Sequence, residues 1–449
     1  MNRDVYPVLS PNVSMSVLNE KLTILTQLEN FKTKTINNFQ TEIVKLCNGK
    51  NEVHLIQNKL QEIDKNIYTL LEVEKFITAL TNLEYLQLSP VEIEVDVPSF
   101  FNANCKKSKD EFVPTQLHTI TVSITESCCM KCSHCSQSAP YGLGNEISFS
   151  KLKTILDDAY TLGARYFGIF GGEPLLHNDI IEIVRYAHNI GFRDILIFSK
   201  GTLIDKEKAR ELKAAGVQSI KISCDSHIPE KYDEIVGIKG SFGKFFTGIY
   251  ELMSVGIVIK LKIVVTNNNK TEIMDMVKFF VKNGVYDIDI EVVVPVGRAD
   301  FALIPDPIHI YNLKNNLERF KSENTSKYKR ITFKYLEYGK AKSCSGGIGS
   351  VMIFADGTVA PCDKSYPFRE QIGFGNVYEN SLLDIWENGN FGQFRNLSDN
   401  ETCKTCGSKI TCRGGCILNG LISTGKILSA DIACEKVGGI KKGILFNEK

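Results

Sequence analysis

Three cysteines, Cys128, Cys132 and Cys135, form a C-x3-C-x2-C run that follows an apolar stretch, Ile120–Ile124. Thiolates are ligands for soft metal centres. Three of them can hold three corners of a [4Fe–4S] cube, whose full protein set is four cysteines. A triplet leaves the fourth iron open to a small molecule. That suits redox chemistry on the bound molecule better than simple electron storage. Zinc is the competing occupant, because thiolates bind it equally well.

A second constellation follows one strand–helix interval later. Residues Tyr166–Pro174 read YFGIFGGEP, an apolar run that ends in Gly171-Gly172-Glu173-Pro174. Glycines at such a place let the backbone approach a ligand closely and leave amide groups unpaired for it. A strand-to-helix turn alone accounts for two glycines, but not for their position after a cysteine triplet. A third constellation occupies residues 344–434. Cys344 and Gly357 precede Cys362; Cys403, Cys406, Cys412 and Cys416 follow as C-x2-C-x5-C-x3-C, and Cys434 comes last. A pair of structural zinc sites would account for these cysteines taken alone.

Together the first two motifs resemble those of the radical S-adenosylmethionine (SAM) enzymes. The resemblance implies that Cys128, Cys132 and Cys135 hold a catalytic cluster whose open iron binds SAM. It implies that Gly171, Gly172, Glu173 and Pro174 form the strand end that holds the methionyl amino group. Ser223-Cys224-Asp225 is similar to the family's S-x-D motif, which gives Ser223 and Asp225 ribose or carboxylate contacts. Pro295-Val296-Gly297-Arg298-Ala299 resembles the P-x-G-R-A turn near the adenine, which assigns Gly297 and Arg298 to the cofactor. Two segments depart from the family pattern. Ser199-Lys200-Gly201 has lysine where asparagine is usual. Val236–Gly240 lacks the arginine common before G-S-F, and Lys239 offers only a point charge in its place. Cys129 and Cys224 read as packing residues.

The spacings from Cys344 to Cys434, with GNVYENSLLDIWENGNFGQFR between them, resemble the SPASM extension of radical SAM enzymes. That resemblance implies one complete auxiliary cluster on Cys403, Cys406, Cys412 and Cys434. The other auxiliary cluster receives Cys344, Cys362 and Cys416. Tyr335–Lys342 contains no cysteine to complete it. Ten cysteines in three groups then hold three [4Fe–4S] clusters.

These motifs need elements to position them. From residue 119 to about 324, apolar runs alternate with helical patterns. Candidate strands are His118–Ile124, Tyr166–Phe170, Ile195–Ser199, Ser219–Cys224, Val258–Val265 and Ile288–Val294, with helices such as Phe149–Leu162, Ile180–Ile190 and Lys206–Ala215 between them. Repeated βα units predict a parallel sheet, and six of them match the partial (β/α)6 barrel of the radical SAM family. Chemistry in such barrels sits at the C-terminal strand ends, where the triplet and GGEP both fall. The fold class expected is α/β, with residues 119–330 as this core and 331–449 as the SPASM domain. Residues 1–89 read as a separate domain and 90–118, with Pro90, Pro98 and Pro114, as a linker. Within the first domain, Val5–Leu9, Val13–Leu18 and Leu22–Leu28 suggest a three-stranded meander. Helical patterns follow at Thr35–Cys47, Val53–Ile63 and Tyr68–Leu83, with a turn at Asn48-Gly49-Lys50. This layout resembles the winged-helix domains that recognise precursor peptides by strand addition. The exposed edge is expected at Leu22–Leu28.

Composition narrows the class. The chain has 449 residues, 43% of them hydrophobic, with a net charge of +1 and acids and bases interspersed. Nothing suggests a nucleic-acid partner, and no apolar run is long enough to span a bilayer. The opening residues lack the layout of a signal peptide, which points to the cytoplasm. Fourteen cysteines there favour metal sites over disulfides. The resemblance then implies an enzyme that uses SAM to modify a ribosomally made precursor peptide, by forming cysteine thioether links after hydrogen abstraction by a 5′-deoxyadenosyl radical. Carbon–carbon crosslinking, epimerisation and sulfatase maturation are the alternatives within the group. A non-catalytic metalloprotein that binds peptides is the alternative outside it. A flavodoxin or ferredoxin is the expected electron donor.

Overall fold

The computed structural model describes residues 5–10, 13–19, 22–27, 33–63, 70–92, 117–323, 330–334, 344–395, 403, 406, 414–426 and 434. The chain divides into two compact units, Met1–Gln116 and Leu117–Lys449.

In the first unit, β1 (Tyr6–Leu9) pairs antiparallel with β5 (Leu86–Ser89). A separate three-stranded sheet has the order β2 (Val13–Asn19), β3 (Leu22–Gln27), β4 (Thr33–Asn37). The expected meander therefore differs from the one found. Val5–Leu9 belongs to another sheet, and the third strand comes from residues read as the start of a helix. Thr33, Thr35 and Ile36 are β-branched, and this favours a strand until the helix begins at Asn38. The expected Leu22–Leu28 strand, described as far as Gln27, is the central one, paired on both sides, so among the described residues the free edges belong to β2 and β4. Helices Asn38–Leu46, Val53–Ile63 and Leu70–Asn82 follow. Leu25, Ile36, Ile43, Ile56, Ile77 and Leu80 meet in one fully buried core. The turn between the first two helices forms as expected. Gly49 adopts a φ of 77°, and the Lys50 amide donates to Asn48 Oδ1 at 3.0 Å.

The second unit is built on one sheet. All six expected strands are present: β6 (Thr119–Thr125), β7 (Tyr166–Gly171), β8 (Asp194–Ser199), β9 (Ser219–Cys224), β10 (Val258–Val265) and β11 (Asp287–Val292). They are parallel neighbours in chain order. The sheet extends further at both ends. β12 (Ile331–Lys334) joins β11 in parallel, and β13 (Ser350–Ile353) joins β6 in parallel. β14 (Thr358–Ala360) and β15 (Gly375–Asn376) continue antiparallel from β13. The cysteine-rich C-terminal segment thus grows from the barrel sheet. Helix Leu382–Asn388 is capped by Ser381 and tied back to the barrel where the Leu382 amide donates to Asp158 Oδ2 at 2.9 Å.

Alternation along the strands decides what the barrel encloses. Ile259, Leu261 and Ile263 of β10, and Ile288 and Ile290 of β11, are fully or nearly fully buried in the layer shared with the helices. Residues between them face the other way: Lys260, Lys262, Asp287, Asp289 and Glu291. Inside, Lys221 Nζ reaches Asp289 Oδ2 at 2.8 Å, and Lys262 Nζ reaches Glu291 Oε1 at 2.5 Å. On the β9 to β11 side the interior is charged and self-paired, unlike an apolar barrel core.

Candidate active site

The C-terminal strand ends open into a cavity of about 170 Å³. Cys128, Cys132, Cys135, Gly171, Gly172, Ser223, Asp225 and Arg298, all assigned from sequence, line it together. Glu173 and Pro174 lie buried behind this wall.

The triplet sits on the loop after β6, and the surrounding backbone holds that loop. Lys131 N donates to Val236 O at 2.8 Å, and Ser133 N to Ile235 O at 3.1 Å. Arg298 closes the other side. Its amide donates to Cys135 O at 2.9 Å, Nε to Cys132 O at 2.8 Å and Nη1 to Ala139 O at 3.0 Å. Gly297, with a φ of 67°, permits this approach, since a Cβ there would lie 2.3 Å from Cys135 O. The pair expected near the adenine thus also holds the cysteine loop.

Gly172 shows the same logic. A Cβ there would lie 2.2 Å from Ser127 O. The expectation of free amides is corrected here: Gly172 N donates to Thr125 O at 2.9 Å and Glu173 N to Ser127 O at 2.8 Å. The glycines bring the strand end against the cysteine loop. Glu173 is likewise engaged. Its carboxylate accepts from Ser199 Oγ at 2.8 Å, Lys200 N at 2.9 Å and Leu175 N at 3.3 Å. Burial raises its pKa, and those three donors oppose the rise.

The lysine that replaces asparagine, Lys200, reaches across the cavity wall to Asp225 Oδ2. His134 Nε2 lies 3.0 Å from the other carboxylate oxygen. Burial disfavours the charge on Asp225, but Lys200 and then His134 outweigh it and hold the carboxyl well below its usual range. Sequence reading missed His134 and the charged wall at Lys262 and Glu291. The wall had a signal, because KLK and DIDIE place charges at alternate positions of adjacent strands. Lys239 is exposed and lies outside the lining. Cys224 donates to Ser226 O, and Cys129 Sγ lies 3.9 Å from Thr202 Oγ1.

The donor set fits an iron–sulfur cluster. Burial pushes the Cys128 and Cys132 thiols up to about 12, so thiolates persist there only against a bound cation. Among the described residues no three His, Cys, Asp or Glu side chains converge on one ion. Three thiols of one loop lining one cavity supply three corners of a cube. In the C-terminal segment, Cys362 stands where β14 ends, close enough to Cys344 and Cys416 for their charges to act on it. Cys403, Cys406 and Cys434 are described, and Cys412 lies outside the described residues.

Comparison with known proteins agrees with this geometry. Residues 122–280 match the radical SAM superfamily, and residues 344–407 match SPASM, an iron–sulfur cluster-binding domain. The chain is 27% identical over 344 residues to an AdoMet-dependent heme synthase of Methanosarcina barkeri, covering 70% of this chain and 95% of the relative. It is also 27% identical over 328 residues to a PqqA peptide cyclase of Ruegeria pomeroyi, covering 70% and 86%. Streptococcus suis SuiB, in a crystal structure with its precursor peptide SuiA, superposes with a TM-score of 0.65 at 16% identity, over 96% of this chain and 100% of SuiB. The chain accordingly carries a radical SAM domain and a SPASM domain, and SAM and iron–sulfur clusters are its cofactors.

Proposed function

We propose that this enzyme matures a ribosomally made peptide by joining a cysteine sulfur to a peptide carbon. The observation that carries the peptide reading is the extent of the structural likeness. The fold shared with peptide-bound SuiB spans 96% of the chain and so takes in the N-terminal unit as well as the barrel. Residues 1–89 supply a means of capture, because β2 and β4 leave sheet edges to which a leader peptide can add as a strand. The ten cysteines hold three [4Fe–4S] clusters on this reading, with reducing electrons from a flavodoxin or ferredoxin. Such clusters with SAM supply one-electron reduction and a hydrogen-abstracting radical.

The thioether reading rests on the Cys344, Cys362 and Cys416 set. Three thiolates leave room for one more ligand, and Tyr335–Lys342 offers no cysteine to fill it. A cysteine of the substrate fits that place and would be held as a thiolate beside the cavity. Each link removes two hydrogens from the peptide: the carbon hydrogen would pass as an atom to the radical that SAM supplies, the thiol proton to solvent, and the remaining electron to an auxiliary cluster. A second reading is a carbon–carbon link, and the similarity to a peptide cyclase is compatible with either. The test incubates the reconstituted enzyme, SAM and a reductant with a cysteine-containing precursor encoded beside it. The product is expected to lose a pair of hydrogens per link and to resist thiol alkylation. A product that has lost hydrogens while all its cysteines still alkylate favours the second reading. An unmodified precursor, with turnover of a non-peptide substrate instead, overturns the peptide reading.

A further inference from the structure

A hydrogen bond joins the loops that carry the two cysteine systems. Tyr366, four residues after Cys362, donates from its phenol to Glu126 Oε1 at 2.9 Å, and Glu126 lies two residues before Cys128. Both partners are firmly placed. Glu126 closes the base of the cysteine loop just past β6: its amide donates to Asn145 O at 2.8 Å, and its Oε2 accepts from Asn145 N at 3.3 Å. The Tyr366 ring is clamped on two sides. Phe354 meets it edge-on with centroids 5.1 Å apart, and the Arg369 guanidinium stacks 4.1 Å from its centroid. Arg369 also donates from Nη1 to Tyr366 O at 2.9 Å and from Nε to Asp356 Oδ2 at 2.6 Å.

Packing and Arg369 thus hold the ring, and the hydroxyl is left to make the link to the cysteine loop. That link bears on the cavity. Asp363 and Lys364, in the same turn as Tyr366, line it together with Cys128 and Cys132. Phe170 lines it too and packs, like Tyr366, against the cluster of Met352, Phe354 and Ala360. A shift of this turn would move one wall of the cavity relative to the triplet while leaving every cysteine in the chain. Reacting groups tolerate little of this, since a displacement of about 1 Å can cost on the order of a hundredfold in rate. We propose that Tyr366 is a positioning residue for the reaction. Acting through Glu126, it fixes the turn after Cys362 against the SAM-binding loop, so that substrate held on the C-terminal side stays in register with the radical formed at the triplet.

Tyr366→Phe deletes only the hydroxyl and keeps the ring between Phe354 and Arg369. In the reconstituted holoenzyme, iron content and SAM affinity should be unchanged. The 5′-deoxyadenosine released per modified peptide should rise on the order of ten- to a hundredfold, through a slower modification step and not a higher KM for the peptide. Glu126→Ala removes the same bond from the other side, so adding Tyr366→Phe to it should change nothing further. A second readout needs no turnover. S-adenosylhomocysteine, which lacks the sulfonium that is cleaved, is added to the reduced holoenzyme and the EPR spectrum of the auxiliary clusters is recorded. The spectrum should shift in the wild type and not in Tyr366→Phe. An absent shift in the wild type, a shift that survives in Tyr366→Phe, an unchanged product ratio or additive effects in the double variant would overturn the proposal. So would loss of auxiliary iron from Tyr366→Phe, which would make the hydroxyl a support for cluster binding alone. The product ratio rests on the peptide reading above, and the spectral shift does not. A shift that is lost in Tyr366→Phe while the wild type modifies no precursor would sink the peptide reading and leave the link standing.

Discussion

The two cysteine systems of this chain are held in different ways. The loop of Cys128, Cys132 and Cys135 is bonded to distant backbone at Val236, Ile235 and Arg298, and a close-packed Gly297 backs it. None of those bonds needs a metal. The C-terminal cysteines come from separate places: a loop at Cys344, the end of a strand at Cys362 and the residue before helix Ile417–Thr424 at Cys416. Backbone bonds at Cys362, Cys403 and Cys416 run to Ser365, Cys406 and Asn419, a few residues away. At the first site the protein positions the cluster. At the second, the bonds named run within the segment, and metal binding is expected to couple to local folding there.

The largest effect that can break this comparison comes from deleting one cysteine of each kind. Cys132→Ala should abolish SAM cleavage while leaving the melting temperature of the reconstituted protein nearly unchanged. Cys416→Ala should lower that temperature by roughly 5–10 °C and remove more than one cysteine's share of auxiliary iron. Calorimetry and iron analysis on the two variants decide it. Equal losses of stability would mean that both sites depend on their clusters alike.

A smaller effect sharpens the claim about the first site. Arg298 donates both a charged fork and its own amide to the cysteine loop. Arg298→Ala removes two charge-assisted bonds, worth about 1.5–3 kcal/mol each before any relaxation. SAM affinity should fall on the order of tenfold or more, with the global fold intact. Arg298→Lys keeps a charge without the fork and should recover only part of the loss. Wild-type SAM affinity in Arg298→Ala would show that the loop is held by its other bonds alone.

The same contrast explains what was legible in the sequence. The cysteine triplet, GGEP and the six barrel strands were readable because each is local, a spacing or an alternation within one segment. The Lys200–Asp225–His134 grouping was not, because it joins three strand ends far apart in the chain. Lys200 registered only as a departure from a pattern, and its partner was visible only once β8 and β9 lay side by side. The first unit failed locally. Thr33–Asn37 carries β-branched residues directly before a helical pattern, and Thr35–Cys47 was absorbed into that helix. The sheet therefore gained a strand at the position that decides which edge is free. Glu173 shows another link that a local motif does not carry, because its carboxylate also accepts from Ser199 and Lys200 at the next strand end.

The smallest expected effect tests the seam between the two cysteine systems. His118 begins the barrel sheet, and its amide donates at 2.8 Å to Gly349 O, in the loop that starts at Cys344. Its ring is buried, and burial lowers its pKa from 6.5 to about 4. The sign follows from proton binding. Between those two values the unfolded chain takes up a proton that the folded protein refuses. The stability is therefore complete above pH 6.5 and is lost progressively as pH falls toward 4. Between pH 7 and 5 the loss amounts to about 2 kcal/mol from this one ring. His118→Phe keeps an aromatic ring and removes the titration. Its stability should decline less steeply over that range than that of the wild type, measured by denaturant unfolding with clusters intact at both ends. If the decline is centred on this seam, the wild type should also release auxiliary iron sooner than iron from the Cys128 loop as pH falls. Identical slopes for the two proteins would show that the ring is protonated without breaking the seam. The C-terminal cysteines would then owe their placement to the clusters alone.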